Sequence, residues 1–263
     1  MSRRFMSGLV RPDQNELTGP RNLKKLLKKH AGRSGGKVTV RGQAGRHKRY
    51  YREIDFKRDK FGVVGEVINI EYDPNRSVNI ALIKYTDGEF RYILAAEGLK
   101  INDRVLSSDK TDVNTGNVMP LKNMPVGTIL HNVELTPGKG GQIGRSAGVG
   151  LQLLAKESGY AHLKMPSGEV RMVPLSSRAT IGKLGNEEWR SVVIGKAGRA
   201  RHMGIKPKVR GTAMDPNSHP HGGGEGRSGV GRKKPMTVYG KPAVGKTRKK
   251  TKWTNKYIVK RRK

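Results

Sequence analysis

The sequence contains no cysteine, which excludes a disulfide framework and any zinc site built on thiolates, and makes the cytosol the default expectation. Aromatic residues are scarce at 5%, and hydrophobic residues reach only 34%, too few to pack all 263 residues around one core. One or two small domains with extended segments fit that shortage better than a large enzyme fold. No apolar run approaches the ~18 residues of a membrane span. No apolar signal-peptide core follows the basic start Met1-Ser2-Arg3-Arg4-Phe5, and Asp13 and Glu16 argue against a transit peptide. Negative charge is also in short supply: 21 Asp and Glu face 54 Lys and Arg, a formal net charge of +33. A free globule with that charge repels itself, so a polyanionic partner is the economical explanation.

What is there is unevenly placed. Residues 1–60 carry 18 basic and 5 acidic side chains, residues 61–195 carry 15 and 14, and residues 196–263 carry 21 and 2. A nearly neutral middle that folds, between two cationic arms that find the partner, follows from this partition. The arms lack a sustained apolar face, which sets aside a membrane-surface role. Residues 1–36 read as an extended basic segment, with a short helical stripe over Arg21 to His30 marked by Leu23, Leu26 and Leu27 after Pro20.

From Phe61 the apolar period becomes that of strands, in runs over Val63 to Ile70, Val78 to Tyr85 and Phe90 to Leu94. Asp73-Pro74-Asn75 and Thr86-Asp87-Gly88 supply the turns, so a small antiparallel barrel is expected, a five-stranded oligonucleotide-binding type being one candidate. Pro120 to Pro125 reads as a hinge. A second cluster of short strands follows over Gly127–Leu135, Val149–Ala155, Gly159–Met165, Glu169–Pro174, Arg178–Gly182 and Trp189–Ile194, with a turn at Pro166-Ser167-Gly168. Beyond Gly195 only Lys196 to His202 has helical character. The expected organisation is therefore a basic extension over 1–36, a barrel over 37–118, a second barrel over 119–195 and a basic, glycine-rich extension over 196–263.

Three segments carry chemistry suited to RNA. Gly42 to Arg52 combines glycines with Arg46, His47, Lys48, Arg49, Tyr50 and Arg52, offering cations for phosphates and a ring for stacking. A solvated loop leading into a core strand is the plainer reading. Pro137 to Gly148 brings Lys139 and Arg145 together with Gly140 and Gly141, whose backbone N–H groups suit close approach to phosphates. A flexible inter-strand loop is the alternative. The third and densest segment runs from Val209 to Arg227 and holds Arg210, His219, His221, Gly222, Gly223, Gly224 and Arg227, with Arg199, Arg201, Lys206 and Lys208 before it as further cations for phosphates. Glycines for tight passage, histidines for stacking or hydrogen bonding and arginine for phosphate describe an RNA-threading loop.

Competing chemistry finds less support. His219 and His221 with Asp215 and Glu225 lack the spacing of a metal site, and no nucleophile or rigid scaffold accompanies an imidazole acid. Gly240 to Thr247 fits the P-loop pattern, but the preceding Met236-Thr237-Val238-Tyr239 is a feeble strand and the following Arg248 to Lys252 has no apolar face. No catalytic residue, metal or cofactor is expected. A P-loop NTPase, a histidine-dependent hydrolase and a non-ribosomal RNA chaperone stand as the alternatives.

The segment Arg210 to Arg227, with Gly-Thr-Ala-Met-Asp-Pro and then His-Pro-His-Gly-Gly-Gly-Glu-Gly-Arg, resembles the signature of the large-subunit ribosomal protein L-two family, bacterial or organellar type. The resemblance extends through Asp55-Phe56-Lys57-Arg58, Glu71 to Ser77, Arg91 to Ala95, Pro125-Val126-Gly127, Pro137 to Gln142 and Tyr257-Ile258-Val259. It departs at a shorter N-terminal segment and at Met203, where an aromatic is common. The resemblance implies an oligonucleotide-binding-type (OB-like) barrel followed by an SH3-like barrel. It also implies primary binding to large-subunit rRNA, neighbouring ribosomal proteins as partners, contact with the small subunit, a place near the peptidyl transferase centre, and residence in a cytoplasmic or organellar ribosome. Peptide-bond formation belongs to the RNA in that family, with His219 or His221 in a supporting role.

Overall fold

The structure, a computed structural model, describes residues 19–28, 31–245 and 247–262. Within these residues the chain forms two compact units. One takes in 19–28, 48–195 and 256–262, and the other 31–47 and 196–255.

A 3-10 turn at Arg21–Leu23 leads into β1 (Lys24–Leu26), followed by β2 (Arg33–Ser34), β3 (Lys37–Val38) and β4 (Tyr50–Arg52). The helix expected over Arg21 to His30 is thus a single turn and then a strand, and His30 lies outside the described residues. So short a helix gains too few hydrogen bonds to offset its nucleation. Pairing β1 antiparallel to β4, with Leu26 opposite Tyr50, satisfies the same backbone groups.

The first main sheet holds β5 (Gly65–Glu71), β6 (Ile80–Tyr85), β7 (Phe90–Leu94) and β8 (Arg104–Val105) in the order β7-β6-β5-β8. Alternation along β6 explains why it is buried on both faces. Ala81, Ile83 and Tyr85 enter one apolar cluster with Val67, Ile93 and Val105, while Ile80 and Leu82 enter another with Ile54, Tyr92 and Leu94. The β6–β7 turn closes through Gly88 N–H donating to the Tyr85 carbonyl at 2.9 Å, with Gly88 at φ +85°, where a side chain is disfavoured. The Tyr92 hydroxyl donates a hydrogen bond to Glu71 Oε1 at 2.9 Å, and burial together with that carboxylate raises the phenol's pKa.

The second body holds β9 (Val118–Pro120), β10 (Ile129–His131), β11 (Val133–Glu134), β12 (Gly141–Ile143), β13 (Leu151–Glu157), β14 (Tyr160–Lys164), β15 (Val170–Pro174) and β16 (Arg178–Ile181), joined by β17 (Ile258–Lys260). Seven of these form one sheet in the order β17-β15-β14-β13-β10-β16-β9, and β11 pairs with β12. Its core contains Leu121, Met124, Leu130, Leu151, Leu153 and Leu163, each fully buried and worth roughly 1.5–3 kcal/mol against exposure. The two bodies share backbone: Glu97 N–H donates to the Lys183 carbonyl, Gly185 N–H to that of Ala95, and Leu184 sits in the cluster under Tyr92.

The strand expected over Trp189–Ile194 is instead a 3-10 turn at Glu187–Ser191. Asn186 takes a left-handed conformation at φ 60° and is anchored by its side-chain amide to the Ser77 carbonyl, so the chain turns before a strand can start. Val193, 63% exposed, has no sheet to join.

The second unit is built differently. Of its described hydrophobic residues only Ala44 is buried, and none of the three apolar clusters belongs to it. It contains α1 (Ala197–His202), the one α-helix among the described residues, in the place its sequence indicates. A backbone ladder holds the unit together: Ala44 N–H donates to Gly204, His47 N–H to His202 and Lys206 N–H to Gly42, at 2.8–2.9 Å.

Candidate nucleic-acid interface

That ladder brings together two cationic segments lying some 150 residues apart in sequence. Arg46 and His47 run beside the stretch from Arg199 through Arg201 to Lys206. The side chains of Arg201, Lys206, Lys208, Arg210 and Arg227 are exposed and have no hydrogen-bond or ion-pair partner among the described residues. Neither Asp215 nor Glu225 pairs with a cation there. The positive charge of this unit is therefore largely uncompensated, the condition in which phosphates bind and release counterions.

In the same unit the histidine loop is folded by its own side chains. His221 N–H donates to His219 Nδ1 at 3.0 Å, and Met236 N–H donates to His221 Nε2 at 2.8 Å. The two rings lie 4.7 Å apart between centroids. Gly222 N–H donates to the His219 carbonyl and Gly223 N–H to that of Met214. A Cβ on Gly222 would stand 2.3 Å from the Asp215 carbonyl oxygen, so this glycine is required by the loop's own backbone crossing. Gly223 and Gly224 have φ of +86° and +92°. Among the described residues no strand leads into the P-loop pattern and no α-helix opens from it, the next helical turn being a 3-10 helix at Trp253–Tyr257; Lys246 lies outside the described residues. No group of three or more His, Asp or Glu stands together as a metal site among the described residues.

In the first unit, the Pro137–Gln142 loop is organised around Glu134, a residue the sequence does not single out. Its carboxylate is 3% exposed and accepts from Gly140 N–H at 2.9 Å, Gly138 N–H at 3.3 Å and Arg178 N–H at 3.0 Å. Gly141 N–H donates to the Phe56 carbonyl and Lys139 N–H to that of Thr136. This corrects one expectation: the amides of Gly140 and Gly141 are spent inside the protein and are not offered to a phosphate. What the loop presents is the exposed, unpartnered side chain of Lys139. Arg145 lies 4.6 Å over the Phe56 ring and donates to the Gly141 carbonyl, which fixes a guanidinium beside it.

Several other cations of this unit are answered internally. Arg91 pairs with Asp55, Asp59 and Glu89, Lys60 with Asp87 and Glu89, and Arg76 with the fully buried Asp73. Arg52 stands 3.5 Å from both Glu71 and Asp73, and Arg49 donates to the Pro74 carbonyl at 2.9 Å, so both have internal partners. Tyr50 is 49% exposed on β4. The near neutrality of residues 61–195 is a balance of 15 basic and 14 acidic side chains: Arg76, Arg91, Arg178 and Lys183 are ion-paired, while Lys84, Lys100, Arg104, Lys110, Lys164 and Arg190 are exposed without an ion-pair partner among the described residues.

Two family models match the chain. "Ribosomal Proteins L2, RNA binding N-terminal domain" covers residues 20–107, and "Ribosomal Proteins L2, C-terminal domain" covers residues 114–240. The chain belongs to the ribosomal protein L2 family. Its two bodies are the OB-like and SH3-like folds of that family, and it is a structural, rRNA-binding constituent of the large ribosomal subunit. The family is structural and not a classical enzyme family. The matched regions contain the Lys139 loop, the paired segments around Arg46 and Arg201, and the histidine loop.

Proposed function

We propose that this L2 family member holds large-subunit rRNA chiefly through the second unit and Lys139, and that its histidine loop lies in the surroundings of the peptidyl transferase centre, where RNA forms the peptide bond. The observation that carries this reading is the uncompensated charge: Arg201, Lys206, Lys208, Arg210 and Arg227 are exposed without partners in a unit whose described residues include only Asp215 and Glu225 as acids, whereas residues 61–195 carry 14 acids against 15 cations. Arg46, His47, Lys48, Arg49, Tyr50, Arg145 and Arg199 complete the contact set, with Arg52 contributing mainly to the fold. Gly140, Gly141, Gly222, Gly223 and Gly224 act by permitting the shapes of the two loops.

The domain division that accompanies this reading is a basic extension over 1–36, an OB-like barrel over 37–118, an SH3-like barrel over 119–195 and a basic extension over 196–263. The partners are rRNA, neighbouring ribosomal proteins and the small subunit at the subunit interface, in a cytoplasmic or organellar ribosome.

The test is reconstitution of large subunits with the full chain. Wild-type protein is expected to co-sediment with subunits through a high-salt wash and to support joining to small subunits. Replacing Lys206, Lys208, Arg210 and Arg227 by Gln together is expected to abolish salt-resistant retention. Retention of that variant, or loss of wild-type protein in the wash as for a loosely bound RNA chaperone, refutes the reading.

A further inference from the structure

Within the second unit a cavity of about 370 Å³ opens between the segments at 41–42, 207–214 and 219. Its walls combine apolar surface from Pro207, Val209 and Met214 with cations from Arg41 and Lys208 and the imidazole of His219. The size falls in the range of roughly 300–1,000 Å³ typical of small-ligand pockets. The Arg41 guanidinium reaches across to Met214, with Nη2 3.8 Å from the sulfur. Lys208 Nζ has no partner among the described residues.

His219 has its two ring nitrogens assigned by the loop. Nδ1 accepts the His221 N–H, so the neutral ring carries its proton on Nε2 and has a donor left over. Gly211 admits this ring at close range: a Cβ there would stand 2.5 Å from His219 Cε1. An apolar wall, an oriented N–H donor and two cations on one rim form a set that neither a free phosphate nor an apolar ligand uses in full. A nucleotide uses all of it: a flat base for the wall, a ring or carbonyl acceptor for the donor, and a phosphate for the cations.

We propose that this pocket captures one unstacked rRNA nucleotide, its base lying against Val209 and Met214 and accepting a hydrogen bond from His219 Nε2, with its phosphate held by Arg41 and Lys208. Burial, then the neighbouring His221 and the Arg41 charge, lower the pKa of His219, which keeps the ring in the neutral form this arrangement needs. The inference rests on the rRNA-binding reading and adds a single-nucleotide site to it. In this role His219 reads the base, while His221 positions it by fixing its tautomer.

The full chain bound to large-subunit rRNA is irradiated at short wavelength, and nucleotide adducts are mapped by mass spectrometry to tryptic peptides. A nucleotide adduct on the peptide 211–227, which carries Met214 and His219, is expected. His219→Asn keeps an acceptor where Nδ1 stands and removes the Nε2 donor. It is expected to lower that adduct at least tenfold while the His221 and Met236 amides keep their protection from hydrogen exchange. Arg41→Gln with Lys208→Gln is expected to lower the same adduct and the salt dependence of binding. Lys233→Gln with Lys234→Gln, a matched charge loss outside the pocket, is expected to weaken binding and leave the adduct yield per bound complex unchanged. Binding without any adduct on 211–227 overturns the pocket and leaves rRNA binding standing. Equal adduct loss in both double variants reduces the site to general charge and also overturns it. Failure of wild-type protein to bind rRNA overturns both readings.

Discussion

Replacing Glu134 by Ala tests whether one buried carboxylate shapes the surface that Lys139 presents. The substitution removes the acceptor for Gly140, Arg178 and Gly138 N–H groups at 2.9, 3.0 and 3.3 Å. Each buried amide left without a partner costs about 1–3 kcal/mol, so the two shorter bonds alone predict a loss of roughly 2–6 kcal/mol. In a unit of this size, made of 19–28, 48–195 and 256–262, that lowers the melting temperature by roughly 4–24 °C. Glu134→Gln retains one acceptor oxygen but turns an NH2 group toward the other donors, and is expected to fall between. Hydrogen exchange at 138–141 should accelerate in both variants. The salt dependence of rRNA binding should lose about one phosphate contact, a change of roughly 0.7–0.9 in the log–log slope, because Lys139 is no longer held in place. A melting shift under about 2 °C with unchanged exchange at Gly140 refutes the argument that Glu134 organises this loop.

His131 is 1% exposed, its Nδ1 is 2.8 Å from the Gly182 carbonyl, and burial depresses its pKa from 6.5 to about 4. The unfolded chain therefore binds the proton first, and the stability present above pH 6.5 is lost as pH falls toward 4, by roughly 3 kcal/mol in all. His131→Asn keeps a donor to Gly182 and should flatten this decline in urea titrations; parallel profiles for the two proteins contradict it. Phe56→Ala removes the ring under Arg145 at 4.6 Å and should cost roughly 2 kcal/mol in thermal unfolding, with faster exchange near Arg145. Gly222→Ala sets a methyl against the Asp215 carbonyl, which is backbone and cannot swing aside, so exchange at Gly222 and Gly223 should rise at least tenfold; unaltered protection contradicts the crossing described above.

Local patterns in the sequence carried much of the fold. Thr86-Asp87-Gly88 marks its hairpin because a positive φ is needed there, and the short apolar run Ile80–Tyr85 announces a strand. Lys196 to His202 announces its short helix in the same way. Long-range partners decided the exceptions. Lys24–Leu26 became a strand because β4 was available to pair with it, and Trp189 lies in a turn because Asn186 is tied to Ser77. The cationic segments of the site were legible as composition, but the ladder joining 42–47 to 202–206 was not, since nothing local encodes it. Glu134 was invisible for a related reason: an acidic residue after Val133 reads as exposed until the three amides around it are known. The same amides turned the glycines of that loop from presumed ligands into folding devices.

The pairing of β17 with β15, with Val170 opposite Lys260, has a consequence for the order of synthesis. Translation delivers residues 196–255 before residues 258–260, so the cationic, coreless stretch is fully emerged while β15 still has an open edge. An open edge invites pairing with other chains, and a naked polycation binds whichever RNA is nearest. Closing the sheet with a strand encoded after the arm means that this edge of the barrel is completed only once residues 196–255 have been made.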